Sequence, residues 1–194
     1  KEDFLTSVNA TVVDLKDKGY KKIYASGTQS FISQLMAANL PVTTEIEDDI
    51  DCFLMGFDTE LTFEKLEKAC ILLKRDIDYI ATNPDWVCPT WYGFVPDCGS
   101  IAQILETATG RKPRFIGKPQ PDMVYLALNE SGFNKEEAVL IGDRLYTDVK
   151  SGVNAGAVSV LVLSGEATLD DLKTSDVTPD LCLENCGVII DQIK

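Results

Sequence analysis

Apolar residues recur along this chain at two spacings, and the two alternate. Thr6 to Lys18 sets Val8, Val12 and Leu15 on one helical stripe, and Gly19 stops it. Lys21 to Ala25 reads as a short strand ending at Gly27, and Gln29 to Asn39 as a helix striped by Phe31, Ile32, Leu35 and Met36. An acidic loop from Glu45, read as a solvated charged turn, leads into a second strand, Asp51 to Met55. Thr62 to Lys74 is a helix with Phe63, Leu66, Ala69 and Leu73 inward and Thr62 as its cap. A third strand, Asp78 to Thr82, runs into the turn Asn83-Pro84-Asp85. Trp86 to Cys98 keeps neither spacing; aromatic and proline-punctuated, it reads as irregular. A helix then runs from near Ser100 to Gly110. Arg114–Gly117 (strand), Asp122–Ser131 (helix), Ala138–Ile141 (strand), Thr147–Ala155 (helix) and Val158–Leu163 (strand) follow, with a weak last strand near Val188–Ile190. Strands alternating with helices of about a dozen residues imply βαβ units, a mainly parallel sheet and an α/β fold.

Composition narrows the functions available. The 194 residues have room for one medium domain or two small ones, and they are 45% hydrophobic. Eighteen basic against 31 acidic residues leave a formal charge of −13. Such a chain lacks the basic patch that neutralises phosphates, so nucleic acid and anionic lipid are not expected partners. With no histidine, His-based triads, His general bases and His-ligated zinc or haem are excluded. No apolar run of about 20 residues could span a bilayer. Cys52, Cys70, Cys88, Cys98, Cys182 and Cys186 are scattered; they read as reduced, mostly buried thiols, and the lone Cys182-x3-Cys186 spacing is a weak zinc signal. No signal peptide is visible, so the cytoplasm is the default. Residue 1 is Lys rather than Met, which fits a processed or trimmed chain. The one candidate boundary is the turn Gly110-Arg111-Lys112-Pro113, where the charge balance shifts from 9 basic and 18 acidic groups to 9 and 13.

Two segments carry chemistry. In Ala138-Val-Leu-Ile-Gly-Asp-Arg-Leu-Tyr-Thr-Asp148, an apolar strand ends in Gly142-Asp143, and Asp148 follows near a helix start. Ligands of open α/β sheets sit at the carboxyl ends of strands, and paired carboxylates there suit Mg²⁺, which keeps several waters. Equally, Asp148 could cap the helix and Asp143 make a turn. In Ile116-Gly117-Lys118-Pro119, a lysine follows another strand end. Alone it reads as surface charge; beside a metal-binding carboxylate, it is what a phosphate group needs.

In this order, these segments resemble the haloacid dehalogenase (HAD) superfamily of phosphatases, in the branch of NagD, the 4-nitrophenyl phosphatases and pyridoxal phosphatase. Phe4-Leu-Thr-Ser7, Ala81-Thr-Asn-Pro-Asp85, Pro96-Asp-Cys-Gly-Ser100, Thr109-Gly-Arg-Lys-Pro113 and Ala155-Gly156 through Leu163-Ser-Gly165 extend the likeness over the whole chain. The resemblance implies a Rossmannoid core, a parallel sheet with helices on both faces, holding an inserted α/β cap of the C2 type. Residues 1–18 and 112–194 would be core and 19–111 cap. It implies that Lys118 holds the transferring phosphoryl group and its aspartyl-phosphate, that Asp143 ligates Mg²⁺, and that Asp148 supports that metal site. The Trp86–Cys98 stretch would be a specificity loop over the phosphate, with Asn83, Asp85, Trp86, Cys88 and Pro89 as substrate-binding candidates and Trp91 and Tyr92 beside them. The same aromatics could instead be packing. Small phosphorylated metabolites such as a sugar phosphate or nucleotide would be substrates, and relatives that self-associate through the cap suggest a homodimer.

One departure stands out. The family's nucleophile and general acid/base form an Asp-x-Asp pair on the first core strand, and no Asp-x-Asp-Gly occurs in these residues. Asp49-Ile50-Asp51 and Asp76-Ile77-Asp78 have the spacing but read as solvated or turn acids. On the family plan, the nucleophile lies outside these residues, and the chain by itself is expected to lack turnover and to expose sheet edges prone to aggregation. The rival readings are an inactive relative that binds a ligand or partner through its cap, and a receiver-like phosphoacceptor. The receiver-like reading is the weakest, because the long insert before the lysine strand does not suit a single small sheet.

Overall fold

Short apolar segments that must bury both faces become central strands of a parallel sheet, and that rule organises the first half of the molecule. A computed structural model describes residues 4–190. The chain divides into two units, one up to Gly117 and one from Lys118 onward.

The first unit runs α1 (Ser7–Lys18), β1 (Ile23–Ser26), α2 (Gln29–Ala37), β2 (Val42–Thr43), β3 (Cys52–Met55), α3 (Phe63–Leu72), β4 (Asp78–Ala81), β5 (Val87–Thr90), β6 (Gly93–Pro96), α4 (Cys98–Thr109) and β7 (Arg114–Phe115). Its sheet has the order β2-β1-β3-β4-β7, with every pairing parallel. The register sets Tyr24, Phe53 and Tyr79 side by side, an aromatic ladder with ring centroids 5.8 and 5.2 Å apart. Leu72 of α3 and Ile101 and Leu105 of α4 complete this core. Alternation sends Ile23, Cys52, Leu54 and Ile80 to the opposite face, where they are equally buried. Threonine side chains cap α1, α2 and α3 as Thr6, Thr28 and Thr62, each accepting from a first-turn backbone N–H.

The second unit comprises α5 (Asp122–Ser131), β8 (Val139–Gly142), a π-helical turn over Leu145–Val149, α6 (Lys150–Ala155), β9 (Val158–Val162), α7 (Leu169–Thr174), β10 (Leu181–Leu183) and α8 (Gly187–Ile190). Its parallel sheet is ordered β10-β9-β8. Leu161 of β9 packs with Leu145, Val149, Ala167 and Val177. Among the described residues, β8 is an edge strand whose Val139 and Ile141 are exposed.

Four expectations need correction. Trp86–Cys98 is not irregular: β5 and β6 form an antiparallel hairpin in which Pro89 opposes Phe94 and Val87 opposes Pro96. Val188–Ile190 lies in the short helix α8, and the last strand is β10 instead. An apolar run of three residues has no period long enough to separate the two. The helix expected from Thr147 opens as the π-helical turn and becomes α-helical only at Lys150. The cysteines are all free, but only Cys52 and Cys98 are fully buried, and Cys182 and Cys186 are exposed.

A carboxylate and lysine cluster as candidate active site

The chemistry-bearing residues fall in two groups, one in each unit. In the second unit, β8 and β9 run parallel, so the loops leaving their carboxyl ends are neighbours. Gly142 ends β8, and Asp143 opens the loop after it. Asp143 Oδ2 accepts from the Glu166 backbone N–H at 2.8 Å, and its main-chain carbonyl accepts from Ala167 N–H at 3.0 Å. Asp148, in the π-helical turn, returns beside Gly142. Its Oδ2 accepts from the Arg144 backbone N–H at 3.2 Å, and its Oδ1 accepts from Lys118 Nζ at 2.5 Å. Lys118, Asp143 and Asp148 therefore come together around one loop, as their place at strand ends implied.

Two glycines make the space. A Cβ on Gly142 would lie 2.1 Å from Asp148 Cβ, and one on Gly165 would lie 2.1 Å from Asp143 Oδ2. Only a residue without a side chain lets each carboxylate occupy its position. Helix α6 holds the Lys118 loop from behind. Ser151 Oγ–H donates to Gln120 O at 3.2 Å and Asn154 Nδ2–H to Pro119 O at 2.8 Å. Lys118 remains half-exposed while Asp148 is largely buried, so the ammonium is held at the rim by a carboxylate below it.

Arg144 and Glu166 were not singled out by sequence. Arg144 Nε pairs with Glu166 Oε2 at 2.7 Å. The two are far apart in the chain and carried no shared signal. Thr147 was also missed; its hydroxyl is buried without a hydrogen-bond partner. The donor set here is hard oxygen from two carboxylates. Among the described residues, no three His, Cys, Asp or Glu side chains group to hold a metal by themselves. Two carboxylates with water and a phosphate oxygen are what Mg²⁺ takes, so these residues fit it, whereas zinc would want nitrogen or sulfur.

In the first unit, the turn after β4 organises the other group. Asn83 Nδ2–H donates to Asp85 Oδ2 at 3.0 Å and to Asp97 Oδ1 at 3.1 Å, while its own Oδ1 accepts from Thr82 Oγ1. Ser100 Oγ–H donates to Trp86 O, and Asp97 N–H donates to the same carbonyl, so both feet of the hairpin are tied down. Asn83 and Asp85 thus hold the hairpin in place. Its length is open to solvent: Pro89, Tyr92 and Phe94 are exposed, Trp86 is 51% and Trp91 94% exposed, and Cys88 is half-buried. These aromatics pack no core. The acids Asp51 and Asp78 lie at the amino ends of β3 and β4, opposite to where ligands bind; they accept from Lys21 and Lys22 N–H and from Tyr20 Oη–H respectively. Burial pushes the Cys98 thiol up to about 12, so it is inert. No described helix is long and apolar enough to cross a membrane.

Known proteins resemble this chain in sequence and fold. The family described as HAD-hydrolase-like matches residues 115–187. An acid sugar phosphatase from Staphylococcus haemolyticus is 31% identical over all of this chain and 73% of its own length. The crystal structure of a 4-nitrophenylphosphatase from Thermotoga maritima superposes with a TM-score of 0.88 at 42% identity, covering 98% of this chain and 72% of that one. NagD from E. coli K-12 gives 0.84 at 33% identity, over 95% and 71% of the two chains. A glycerol phosphate phosphatase from Mycobacterium tuberculosis, solved in complex with calcium, gives 0.81 at 29% identity, over 88% and 51%. With a carboxylate pair and a lysine at its strand ends and relatives of this identity along its whole length, the chain belongs to the HAD phosphatases, a family of hydrolases.

Proposed function

We propose that this protein is an Mg²⁺-dependent phosphatase of a small phosphorylated metabolite, such as a sugar phosphate or a nucleotide. The observation that carries the reading is the Lys118–Asp148 pair beside Asp143, on the loop that leaves the carboxyl end of β8. Asp143 and Asp148 would hold the ion; bound there, Mg²⁺ supplies positive charge against the phosphoryl oxygens. Asp148 engages one N–H of the Lys118 ammonium, leaving donors directed to solvent for the transferring phosphoryl group. The nucleophile would be a carboxylate outside these residues that forms an aspartyl-phosphate.

Residues 19–111 form the cap in this reading, accompanied in their unit by α1 and β7. Asn83 and Asp85 fix the hairpin, and with Trp86, Cys88, Pro89, Trp91 and Tyr92 they are the candidates to read the substrate, whose planar or sugar leaving group suits aromatic contact. The exposed hairpin is also the surface through which two copies would pair. Six free cysteines agree with a reducing, cytoplasmic setting.

Turnover of 4-nitrophenyl phosphate by variants of the intact protein tests this. Asp143→Asn should nearly abolish both activity and Mg²⁺ affinity, and Asp148→Asn should cost less. Lys118→Ala should lower kcat by about two orders of magnitude, while Lys173→Ala, on exposed helix α7, should change little. Equal Mg²⁺ dependence in wild type and Asp143→Asn, or like behaviour of the two lysine variants, overturns the reading.

A further inference from the structure

Neither carboxylate of the pair is held by its own backbone alone. Asp143 takes its orientation from the Glu166 N–H on the loop after β9, and Asp148 from the Arg144 N–H on the loop after β8 together with the Lys118 ammonium. The Arg144 side chain then bonds the Glu166 carboxylate. One residue thus orients one carboxylate through its backbone and, through its side chain, secures the loop that orients the other. The pair is only partly solvated, at 17% exposure for Arg144 and 37% for Glu166. Gly165 supplies the close approach that the arrangement needs.

We propose that Arg144 and Glu166 are positioning residues, a latch that keeps Asp143 and Asp148 at the separation a divalent cation requires. The inference rests on the reading of those carboxylates as metal ligands. Outer groups that orient ligands commonly change metal affinity by about 10–100-fold. A latch and a mere electrostatic bystander differ in sign. Removing the Arg144 cation beside two carboxylates makes the site more negative, which alone would tighten cation binding. Loss of the latch loosens it. Glu166→Asp divides them again: the charge stays and the reach shortens, so electrostatics leaves affinity unchanged and the latch weakens it.

The experiment is calorimetric titration of Mg²⁺ and Mn²⁺ into the intact protein and its Arg144→Met, Glu166→Asp and double variants. Metal dependence of 4-nitrophenyl phosphate turnover is followed alongside. Each single variant should raise the metal Kd about tenfold, with the double no worse than the weaker single. Saturating metal should recover most of kcat, with substrate KM unmoved, which general damage to the fold would not allow. Glu166→Asp carries the test by itself if Arg144→Met does not fold. Unchanged or tighter binding in either single variant, or losses that multiply in the double, overturns the latch. Asp143→Asn separates the two levels. If it abolishes metal binding while the latch variants bind normally, only the latch fails; if it leaves binding intact, the metal reading fails as well.

Discussion

Thr147 lies between the two halves of the candidate site's loop, next to Asp148, and its hydroxyl is buried with nothing to bond. A buried hydroxyl without a partner keeps its full desolvation cost, and valine has the same shape without it. Thr147→Val should therefore stabilise the protein by about 1 kcal/mol, read as a raised midpoint in urea, with kcat unchanged. A fall in activity without a change in stability would instead give the hydroxyl a task in the site. Lys118, Asp143 and Asp148 were legible because each combines a residue type with a position, the end of an apolar strand. Arg144 and Glu166 were not, because their meaning lies in a contact between loops. Nor did a threonine in a helix start reveal that its hydroxyl would be stranded; that depends on the π-helical backbone, which no spacing announces.

Helix caps and buried strands were readable because local chemistry decides them. Thr62 caps α3, and β1 and β3 are buried at every position and β4 at all but Asp78, as short, mainly apolar runs of central strands should be. The hairpin was not, because Pro89 and Pro96 argue against any strand that must donate on both sides. As a two-stranded ribbon, it leaves one side of each strand free, and proline fits there. At the same scale, β10 is held to β9 partly through Asp180, whose carboxylate accepts from both the N–H and the hydroxyl of Ser159 at 2.8 Å. These bonds, the backbone one foremost, lower its pKa below the ordinary carboxylate value. A lowered folded pKa means the contribution is complete above the unfolded value of about 3.9 and is lost as pH falls through the folded one. Asp180→Asn should accordingly lose less stability than wild type as pH falls below about 4, measured as the denaturation midpoint against pH. Parallel curves would show that the carboxylate's charge is not what ties β10 down.

For the whole molecule, the formal charge of −13 opposes the approach of a dianionic phosphate ester. The attraction of Lys118 and a bound cation is local, whereas the repulsion comes from the entire surface and is screened over about 10 Å at 0.1 M salt. Salt should therefore help: kcat/KM for 4-nitrophenyl phosphate should rise as NaCl goes from low to moderate ionic strength, with Mg²⁺ held saturating. A steady fall would mean that the site's own positive field reaches far enough to steer substrate in.

The hairpin has one more consequence, and it is optical. The chain's only tryptophans are Trp86 and Trp91, and both lie on that ribbon in contact with water. Indole fluorescence excited in this protein is thus light from one surface feature, while the parallel sheets and their helices are silent. Emission should already be red-shifted in the native state and change little on unfolding, so it is a poor reporter of denaturation. It is a native reporter of whatever settles on the hairpin, since burying either ring against a leaving group or a second copy moves the spectrum toward the blue, with no label attached.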